Sequence, residues 1–124
     1  MNVIDSSAWL EYFAGGDNAD FFAPPIEAVT QLLVPVISIY EVFKRICQQR
    51  GEGDALQAIA LMQQGHLVEL TTPLALNAAK LSIEHRLPMA DSLILATARL
   101  HNATLWTQDA DFEGIPGVKY KAKT

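Results

Sequence analysis

Four acidic side chains stand at positions where an α/β fold would bring them together. Asp5 follows an apolar, strand-like run at the N-terminus, and Asp109 follows a similar run near the C-terminus. Glu41 and Asp91 each fall in the first turn of a predicted helix. In a parallel sheet, the carboxyl ends of the strands and the N-termini of the following helices meet at one edge. We therefore expect these carboxylates to converge.

Convergent carboxylates repel one another, and some of them would stay protonated near neutral pH. A hard divalent cation, Mg²⁺ or Mn²⁺, removes this repulsion because it prefers oxygen ligands. Such a site can deprotonate a bound water and stabilise the charge that develops on an attacked phosphodiester. The pattern therefore indicates metal-assisted hydrolysis of phosphodiester bonds.

Some of these carboxylates also have a purely structural explanation. Asp5 would serve as a helix N-cap, which is worth about 1 kcal/mol. Glu41 completes an S-x-x-E capping box that begins at Ser38. Glu41 also precedes Arg45 by one helical turn, which is the spacing of a helix ion pair. For Glu41 the structural role is therefore the more economical interpretation when the residue is taken alone.

Asp91 is harder to explain structurally. Its helix, predicted over residues 88–101, is apolar on nearly every side and should be mostly buried. An unpaired buried carboxylate is very unfavourable, and the helix dipole offsets this by only about 0.3–1 kcal/mol. A bound cation is a stronger partner. Asp109 and Asp111, by contrast, could be turn residues.

Other catalytic chemistries lack their signatures. No serine lies in a G-x-S-x-G nucleophile motif, and neither glycine-rich phosphate-binding motif is present. The three histidines are scattered, so a histidine zinc site is not expected. The single cysteine, Cys47, cannot form an intrachain disulfide, and it lies on the apolar face of its predicted helix.

The elements that must position these acids alternate along the chain. Strands are predicted at residues 2–4, 32–34, 67–70, 103–106 and, at a sheet edge, 117–120. Helices are predicted from residue 5 to about 15, in part of 19–29, and at 38–50, 54–64, 72–86 and 88–101. This alternation predicts a three-layer α/β/α sandwich with a central, mainly parallel sheet. The length of 124 residues fits a single domain spanning residues 1–124.

The amino-acid composition limits the class of protein and its cellular location. Half of the residues are hydrophobic, which excludes intrinsic disorder. No apolar run approaches the length of roughly 18 residues that crosses a membrane, and the N-terminus does not resemble a signal peptide, so we expect a cytoplasmic protein. Three alternating lysines close the chain and are expected to form a solvated tail: Lys119, Lys121 and Lys123.

The net charge of -5, from 14 acids and 9 bases, argues against simple electrostatic binding of nucleic acid. The objection weakens once the four converging carboxylates are set aside, because the remaining acids and bases nearly balance. A divalent cation would largely neutralise those four. The charge pattern therefore predicts nucleic-acid binding that depends on metal.

Four segments, in this order and spacing, resemble the sequence motifs of the PIN-domain family and, at this chain length, of its VapC-type toxins. They are Val-Ile-Asp-Ser-Ser at 3–7, Ser-Ile-Tyr-Glu at 38–41, Pro-Met-Ala-Asp-Ser-Leu-Ile-Leu-Ala-Thr-Ala at 88–98 and Leu-Trp-Thr-Gln-Asp-Ala-Asp-Phe at 105–112. The resemblance covers almost the whole chain, from residue 2 to about 118. One departure is Gln108, where many relatives carry a basic residue.

The resemblance implies roles for individual residues. The acidic metal ligands would be Asp5, Glu41, Asp91 and Asp109. Asp111 competes with Asp109 for the fourth position. Thr107 would help to orient the site, and Ser6 would assist. Four basic residues are candidates for contacts to a nucleic-acid backbone: Lys44, Arg45, Arg86 and Arg99.

The resemblance also implies a function, which is a Mg²⁺- or Mn²⁺-dependent endoribonuclease acting as the toxin of a toxin–antitoxin module. Its partners would be an RNA substrate, a cognate VapB-like antitoxin and a second copy of the chain, with no membrane. DNA would be contacted only through the antitoxin. An apolar groove for an antitoxin helix is implied as well, to which Tyr12, Phe21 and Phe22 could contribute, although core packing is the likelier use of these rings.

Two other functions remain open. A phosphotransfer or phosphatase domain of the haloacid-dehalogenase or receiver type also places acids at strand ends. Here, however, the first strand ends in Asp-Ser-Ser rather than Asp-x-Asp, and the strand at 67–70 has no terminal Asp to phosphorylate. The other alternative is a PIN-fold module that binds a partner protein without catalysis, which the intact acidic residues disfavour.

Overall fold

The computed structural model describes residues 1–124 as five strands and six α-helices. The strands are β1 (Asn2–Ile4), β2 (Leu32–Pro35), β3 (His66–Val68), β4 (Thr104–Thr107) and β5 (Val118–Tyr120). The helices are α1 (Ser6–Ala14), α2 (Ala19–Glu27), α3 (Val36–Arg50), α4 (Glu52–Met62), α5 (Thr72–His85) and α6 (Met89–Leu100). Short 3-10 turns occupy Val29–Gln31 and Ala110–Phe112.

The strands form one sheet in the order β3-β2-β1-β4-β5, and every neighbouring pair is parallel. β1 is central, with Asn2 in register with Leu32 on one side and Thr104 on the other. Parallel neighbours need long crossovers, and α-helices supply all of them except the one from β4 to β5, which contains only the 3-10 turn at Ala110–Phe112. The first strand, at the very N-terminus, therefore carries its carboxyl end to the middle of the sheet edge.

Helices cover both faces of the sheet because residues next to each other in a strand point to opposite sides. On one face, Ile4 lies in a core with Trp9 of α1, Phe22 of α2 and Val42 of α3. On the other face, Val3 and Leu105 pack against Ile94 and Leu95 of α6. Helix α5 packs against α6 through Leu74 and Ala78. The predicted three-layer α/β/α sandwich is confirmed.

Helix α3 begins earlier than the sequence pattern predicts. β2 ends at Pro35, and the helix starts at the next residue without any side-chain cap. Ser38 is therefore inside the helix, fully buried, and its hydroxyl has no hydrogen-bond partner. The predicted capping box between Ser38 and Glu41 is wrong, because Pro35, with φ fixed at -63°, leads the chain straight from strand into helix.

The C-terminal lysines are solvent-exposed, as their charge pattern predicts, but the backbone that carries them is bound to the sheet rather than forming a free tail. The backbone N–H of Lys121 donates to Thr107 O at 3.0 Å, which extends the pairing of β4 with β5. Lys119 lies 4.6 Å from the centre of the Trp106 ring. The segment is thus part of the fold. Separately, no helix of the chain has the length and apolar composition needed to cross a membrane.

Candidate metal centre

The carboxylates singled out in the sequence line one cavity of about 380 Å³. They are Asp5, Glu41, Asp91 and Asp109. Asp5 directly follows β1, and Asp109 follows β4 by two residues, so adjacent parallel strands deliver them to the same edge. Asp91 is the third residue of α6, while Glu41 is the sixth residue of α3, two residues further into the helix than predicted. The predicted convergence is therefore what the fold produces.

Asp5 is the most buried of the four, at 2% exposure. Its Oδ2 accepts hydrogen bonds from Ser7 Oγ at 2.5 Å, Thr107 Oγ1 at 2.9 Å and the backbone N–H of Ser7 at 3.3 Å. The last bond makes Asp5 the N-cap of α1, as the sequence predicts. Burial raises the pKa of Asp5 from 3.8 to about 6, assisted by the charge of Asp109 and opposed by the hydrogen bonds.

Asp91 is partly buried, and its pKa is raised from 3.8 to about 7. Burial is the largest cause of this shift, and the negative charges of its neighbours add to it. Those neighbours, in order of effect, are Asp5, Asp109, Glu41 and Asp111. The electrostatic repulsion predicted for convergent carboxylates is therefore concentrated on Asp91.

Glu41 accepts a hydrogen bond from a hydroxyl group and pairs with no basic side chain. Ser6 Oγ donates to Glu41 Oε1 at 2.7 Å, which ties the start of α1 to α3. The predicted ion pair between Glu41 and Arg45 is wrong, because the chain contains a single ion pair, between His85 and Glu84. Glu41 points into the cavity instead, so its structural explanation from the sequence fails on both counts.

Asp109 and Asp111 occupy different parts of the same turn. Asp109 Oδ1 accepts from the backbone N–H of Asp111 at 2.9 Å and caps the 3-10 turn, so the turn role predicted for Asp109 is confirmed. One carboxylate oxygen each of Asp91, Asp109 and Asp111 lie within 4.8 Å of one another. Asp109 is half-buried and lines the cavity, whereas Asp111 is exposed and lies outside its lining.

These side chains fit a hard divalent cation. Every titratable group in the cluster is a carboxylate, and no Lys or Arg lies within 4.0 Å of any of them. Mg²⁺ and Mn²⁺ prefer such oxygen donors, and Mg²⁺ usually combines a few carboxylates with waters and phosphate oxygens. A cation among Asp5, Asp91 and Asp109 would also offset the repulsion that raises the pKa of Asp91.

Of the four basic residues predicted to contact a nucleic-acid backbone, two lie at the acidic cavity. Lys44 and Arg45 line the acidic cavity on the exposed side of α3. Arg86 and Arg99 do not line it, and Arg99 lines a separate cavity between α5 and α6. Of the aromatic residues considered for a docking groove, Phe22 is fully buried in the core, and Phe21 packs against Trp106.

Sequence reasoning missed Ser7, whose hydroxyl makes the shortest hydrogen bond to Asp5. Its position in the first turn of α1, directly after Ser6, gave it no distinct signal. It also missed the partner of Gln108, which is buried and accepts from Asn18 Nδ2 at 3.1 Å. That contact joins residues 90 positions apart in the sequence, and no local sequence pattern predicts it.

Among solved structures with a similar fold, one is a toxin–antitoxin complex and another is described as a toxin. A chain of a toxin–antitoxin complex from Klebsiella pneumoniae superposes with a TM-score of 0.80 at 26% identity, covering 96% of each chain. VapC20 of Mycobacterium tuberculosis, described as a toxin that cleaves the sarcin–ricin loop, gives 0.78 at 15% identity over 94% of this chain and 95% of its own. No protein of curated function matches the sequence significantly.

A third structure, VapBC2 of Rickettsia felis bound to a DNA fragment from its promoter, gives a TM-score of 0.75 at 14% identity over 98% of this chain and 97% of the other. At this identity the likeness shows the fold. The family is shown by the sequence itself, which matches the PIN domain over residues 3–118. That span contains every carboxylate that lines the cavity. This protein therefore belongs to the PIN-domain family.

Proposed function

We propose that this protein is a Mg²⁺- or Mn²⁺-dependent endoribonuclease that acts as the toxin of a toxin–antitoxin module. One observation carries the proposal: buried Asp5 and partly buried Asp91 share a cavity with Glu41 and Asp109, and no basic side chain pairs with any of them. A fold that keeps such a repulsive cluster needs a cation to stabilise it. Family membership and the similarity to a toxin–antitoxin complex support the same activity.

In this proposal, Asp5, Asp91 and Glu41 hold the metal directly, and Asp109 completes the site directly or through a water. A divalent cation bound there lowers the pKa of a water and stabilises charge on an attacked phosphodiester. The chain's own residues prepare the ligands. Ser7 and Thr107 donate to Asp5 and hold its carboxylate toward the ionised form.

Two further side chains shape the same site. The hydroxyl of Ser6 fixes the rotamer of Glu41, which would otherwise be a flexible ligand. Lys44 and Arg45 lie at the edge of the cavity and have no carboxylate partner, so they are available to bind phosphate oxygens of an RNA strand. Positive charge beside the acidic cluster would offset the net repulsion between RNA and this acidic chain.

For partners, we propose a VapB-like antitoxin, a second copy of the chain, and DNA contact only through the antitoxin. The support is that one similar structure is a toxin–antitoxin complex and two others are VapBC complexes bound to DNA, in one case to a promoter fragment. A cytoplasmic location is part of the same proposal, because the proposed enzyme would meet its RNA substrate and its antitoxin in the cytoplasm. A single domain spanning residues 1–124 is part of it as well.

The proposal is tested by cleavage and metal binding measured on the same protein. We expect the purified chain to cleave single-stranded and structured RNA in Mg²⁺ or Mn²⁺, to stop in EDTA, and to resume when Mn²⁺ is added back. Calorimetry should show saturable binding of the metal. Absence of both cleavage and metal binding would point to a non-catalytic binding module, and a trapped beryllofluoride adduct on an aspartate would point to phosphotransfer.

A further inference from the structure

A second cavity, also of about 380 Å³, adjoins the acidic one. The two share Ser7, Leu10 and Arg45 in their linings, so they form one continuous groove over the start of α1. The far side of the second cavity is closed by Gln108 and by Lys123 of the C-terminal segment. A chain passing through the acidic cavity would therefore continue between Arg45 and Lys123.

The C-terminal segment is fixed in place beside this cavity. Asn18 Nδ2 donates to Ala122 O at 3.0 Å, directly before Lys123. Thr124 Oγ1 donates to Asp17 Oδ2 at 2.5 Å, directly after it. Together with the bond from Lys121 N to Thr107 O, these contacts hold the backbone before Lys123 and the side chain of the residue after it. The lysine is thus presented by an ordered backbone at the groove.

Two buried side-chain amides, those of Asn18 and Gln108, connect the segments that surround the second cavity. Gln108 accepts from Asn18 Nδ2 and donates from Nε2 to Ser7 O at 3.4 Å. Both Asn18 and Gln108 are buried, at 3% and 7% exposure. The Asn18 amide therefore links the C-terminal segment to Gln108, which follows β4, and the Gln108 amide continues the link to α1. This network stabilises the second cavity through neutral amide groups.

The charged groups at the second cavity are two cations and one anchored carboxylate. Arg45 and Lys123 have no carboxylate within 4.0 Å. Glu11 also lines the cavity, but its Oε2 accepts from the backbone N–H of Asn18 at 2.9 Å, which offsets part of its charge. The lining of the second cavity therefore carries one more positive than negative charge, in contrast to the acidic cavity next to it, and this excess suits an anion.

Two more lysines extend the positive charge away from the groove. Lys119 lies over the Trp106 ring, and Lys121 lies 5.7 Å from the centre of the Phe21 ring. Phe21 and Trp106 are themselves packed together at 5.3 Å. The aromatic faces hold the lysine side chains along one side of the sheet edge, so positive charge continues from Lys123 toward β5.

We infer that the second cavity is a phosphate subsite for the RNA strand, in which Arg45 and Lys123 contact a backbone phosphate adjacent to the one in the acidic cavity. The inference rests on the proposed ribonuclease function, since it assigns a path to that substrate. Contacts of this kind position the strand without reading its sequence. They would compensate at the groove for the acidic character of the whole chain.

The test is equilibrium binding of a labelled single-stranded RNA in Mg²⁺ at several KCl concentrations, measured by fluorescence anisotropy. Asp91→Asn serves as the parent because it prevents turnover, and because the loss of one negative charge reduces the repulsion of RNA that bound metal offsets in the wild type. Each phosphate contact on a single strand contributes about 0.7 to the slope of log Kd against log salt. We expect Lys123→Ala to lower the slope by about 0.7 and Arg45→Ala/Lys123→Ala by about 1.4. Lys123→Arg should keep the parental slope.

Lys80→Ala is the matched control, because Lys80 is an exposed lysine that lines a different cavity. Equal slopes for the Lys80 and Lys123 variants would overturn the subsite, and the cavity would then suit an acidic segment of a protein partner. Cleavage by the wild type is measured in parallel. RNA cleavage with an unaltered slope would refute only the subsite, whereas a reduced slope without any cleavage would refute only the ribonuclease function.

Discussion

The hydroxyl of Thr107 donates a hydrogen bond of 2.9 Å to Oδ2 of Asp5, joining the end of β4 to the end of β1. The same hydroxyl oxygen accepts from the backbone N–H of Asp109 at 2.9 Å. One buried side chain thus connects two of the carboxylates in the cavity. It also lowers the pKa of Asp5, against the effect of burial. Thr107 therefore acts through Asp5 as a positioning residue.

Replacing Thr107 with Val should move the acidic limb of the pH–rate profile to higher pH. The variant removes a hydrogen bond that favours ionised Asp5, so the pKa of Asp5 rises further. It also leaves the N–H of Asp109 without its acceptor, which costs about 1–3 kcal/mol of folding stability. Cleavage rates measured between pH 5 and about 8, with melting curves on the same samples, check both effects.

Thr107→Ser is the control for that experiment because it keeps the hydroxyl and loses only a methyl group. We expect its pH–rate profile to overlay that of the wild type. If the Val and Ser variants shift the profile equally, the hydrogen bond to Asp5 does not tune the site, and Thr107 contributes only packing.

Ser6→Ala should weaken metal binding although Ser6 is not a proposed ligand. Its hydroxyl holds Glu41 at 2.7 Å, and loss of a group that orients a ligand typically costs about 10–100-fold in metal affinity. Calorimetric titration with Mn²⁺ measures the change directly. Ser82→Ala, which loses a hydrogen bond to Leu87 O away from the cavity, should leave the affinity unaltered. Equal affinity for wild type and Ser6→Ala would remove Glu41 from the ligand set.

The stability of the metal-free protein should fall as the pH rises from about 4 to about 7. The pKa of Asp91 is 3.8 in the unfolded chain and about 7 in the native state, so the native state binds the extra proton across this interval. The stabilisation is complete below the unfolded pKa and is lost as the pH passes the native one. The raised pKa of Asp5 adds to the lower part of the same trend.

Asp91→Asn should flatten this dependence, because an amide does not titrate. In EDTA at neutral pH its melting temperature should match or exceed that of the wild type, since it removes a charge from a like-charged cluster. With Mn²⁺ added, the wild type should gain stability and the variant should not. A clear loss of melting temperature for Asp91→Asn in EDTA would mean that the Asp91 carboxylate stabilises the fold.

Asp109 and Asp111 can be separated by two matched substitutions. Asp109 is half-buried and lines the cavity, while Asp111 is exposed at its edge. We expect Asp109→Asn to reduce Mn²⁺ affinity by about tenfold or more, and Asp111→Asn to change it much less. Asn keeps the capping acceptor at residue 109 and so preserves the turn. The reverse order of effects would assign the fourth ligand position to Asp111.

The periodic features of this fold were readable from the sequence because they depend on local patterns. Alternation of apolar strands and amphipathic helices predicts the parallel sheet, and the strand-end rule places Asp5 and Asp109 at one edge. The entry into α3 was misjudged because Ser38 resembles a cap, whereas the direct connection from Pro35 puts it inside a buried turn. At this position the packing of the adjacent strand, rather than the capping propensity of Ser38, determines where α3 begins.

Contacts between distant segments were not predictable in this way. The bonds from Thr107 to Asp5 and from Asn18 to Ala122 each join residues more than 100 positions apart. Sequence spacing carries no signal for such pairs, because the topology of the whole sheet brings them together. For the same reason the sequence pattern of the C-terminal lysines indicates only a solvated tail, whereas the tertiary structure places Lys123 at the groove and Lys119 over the Trp106 ring.

The most direct test of the central claim is the rate of RNA cleavage by Asp91→Asn compared with the wild type in saturating Mn²⁺, with both proteins purified identically. Asp91 lies in the acidic cavity, and the proposed mechanism requires its carboxylate as a metal ligand. We predict that cleavage falls by at least about a hundredfold while the fold, judged by circular dichroism, is retained. Wild-type cleavage rates in a folded Asp91→Asn protein would contradict the assignment of this cavity as the catalytic metal centre.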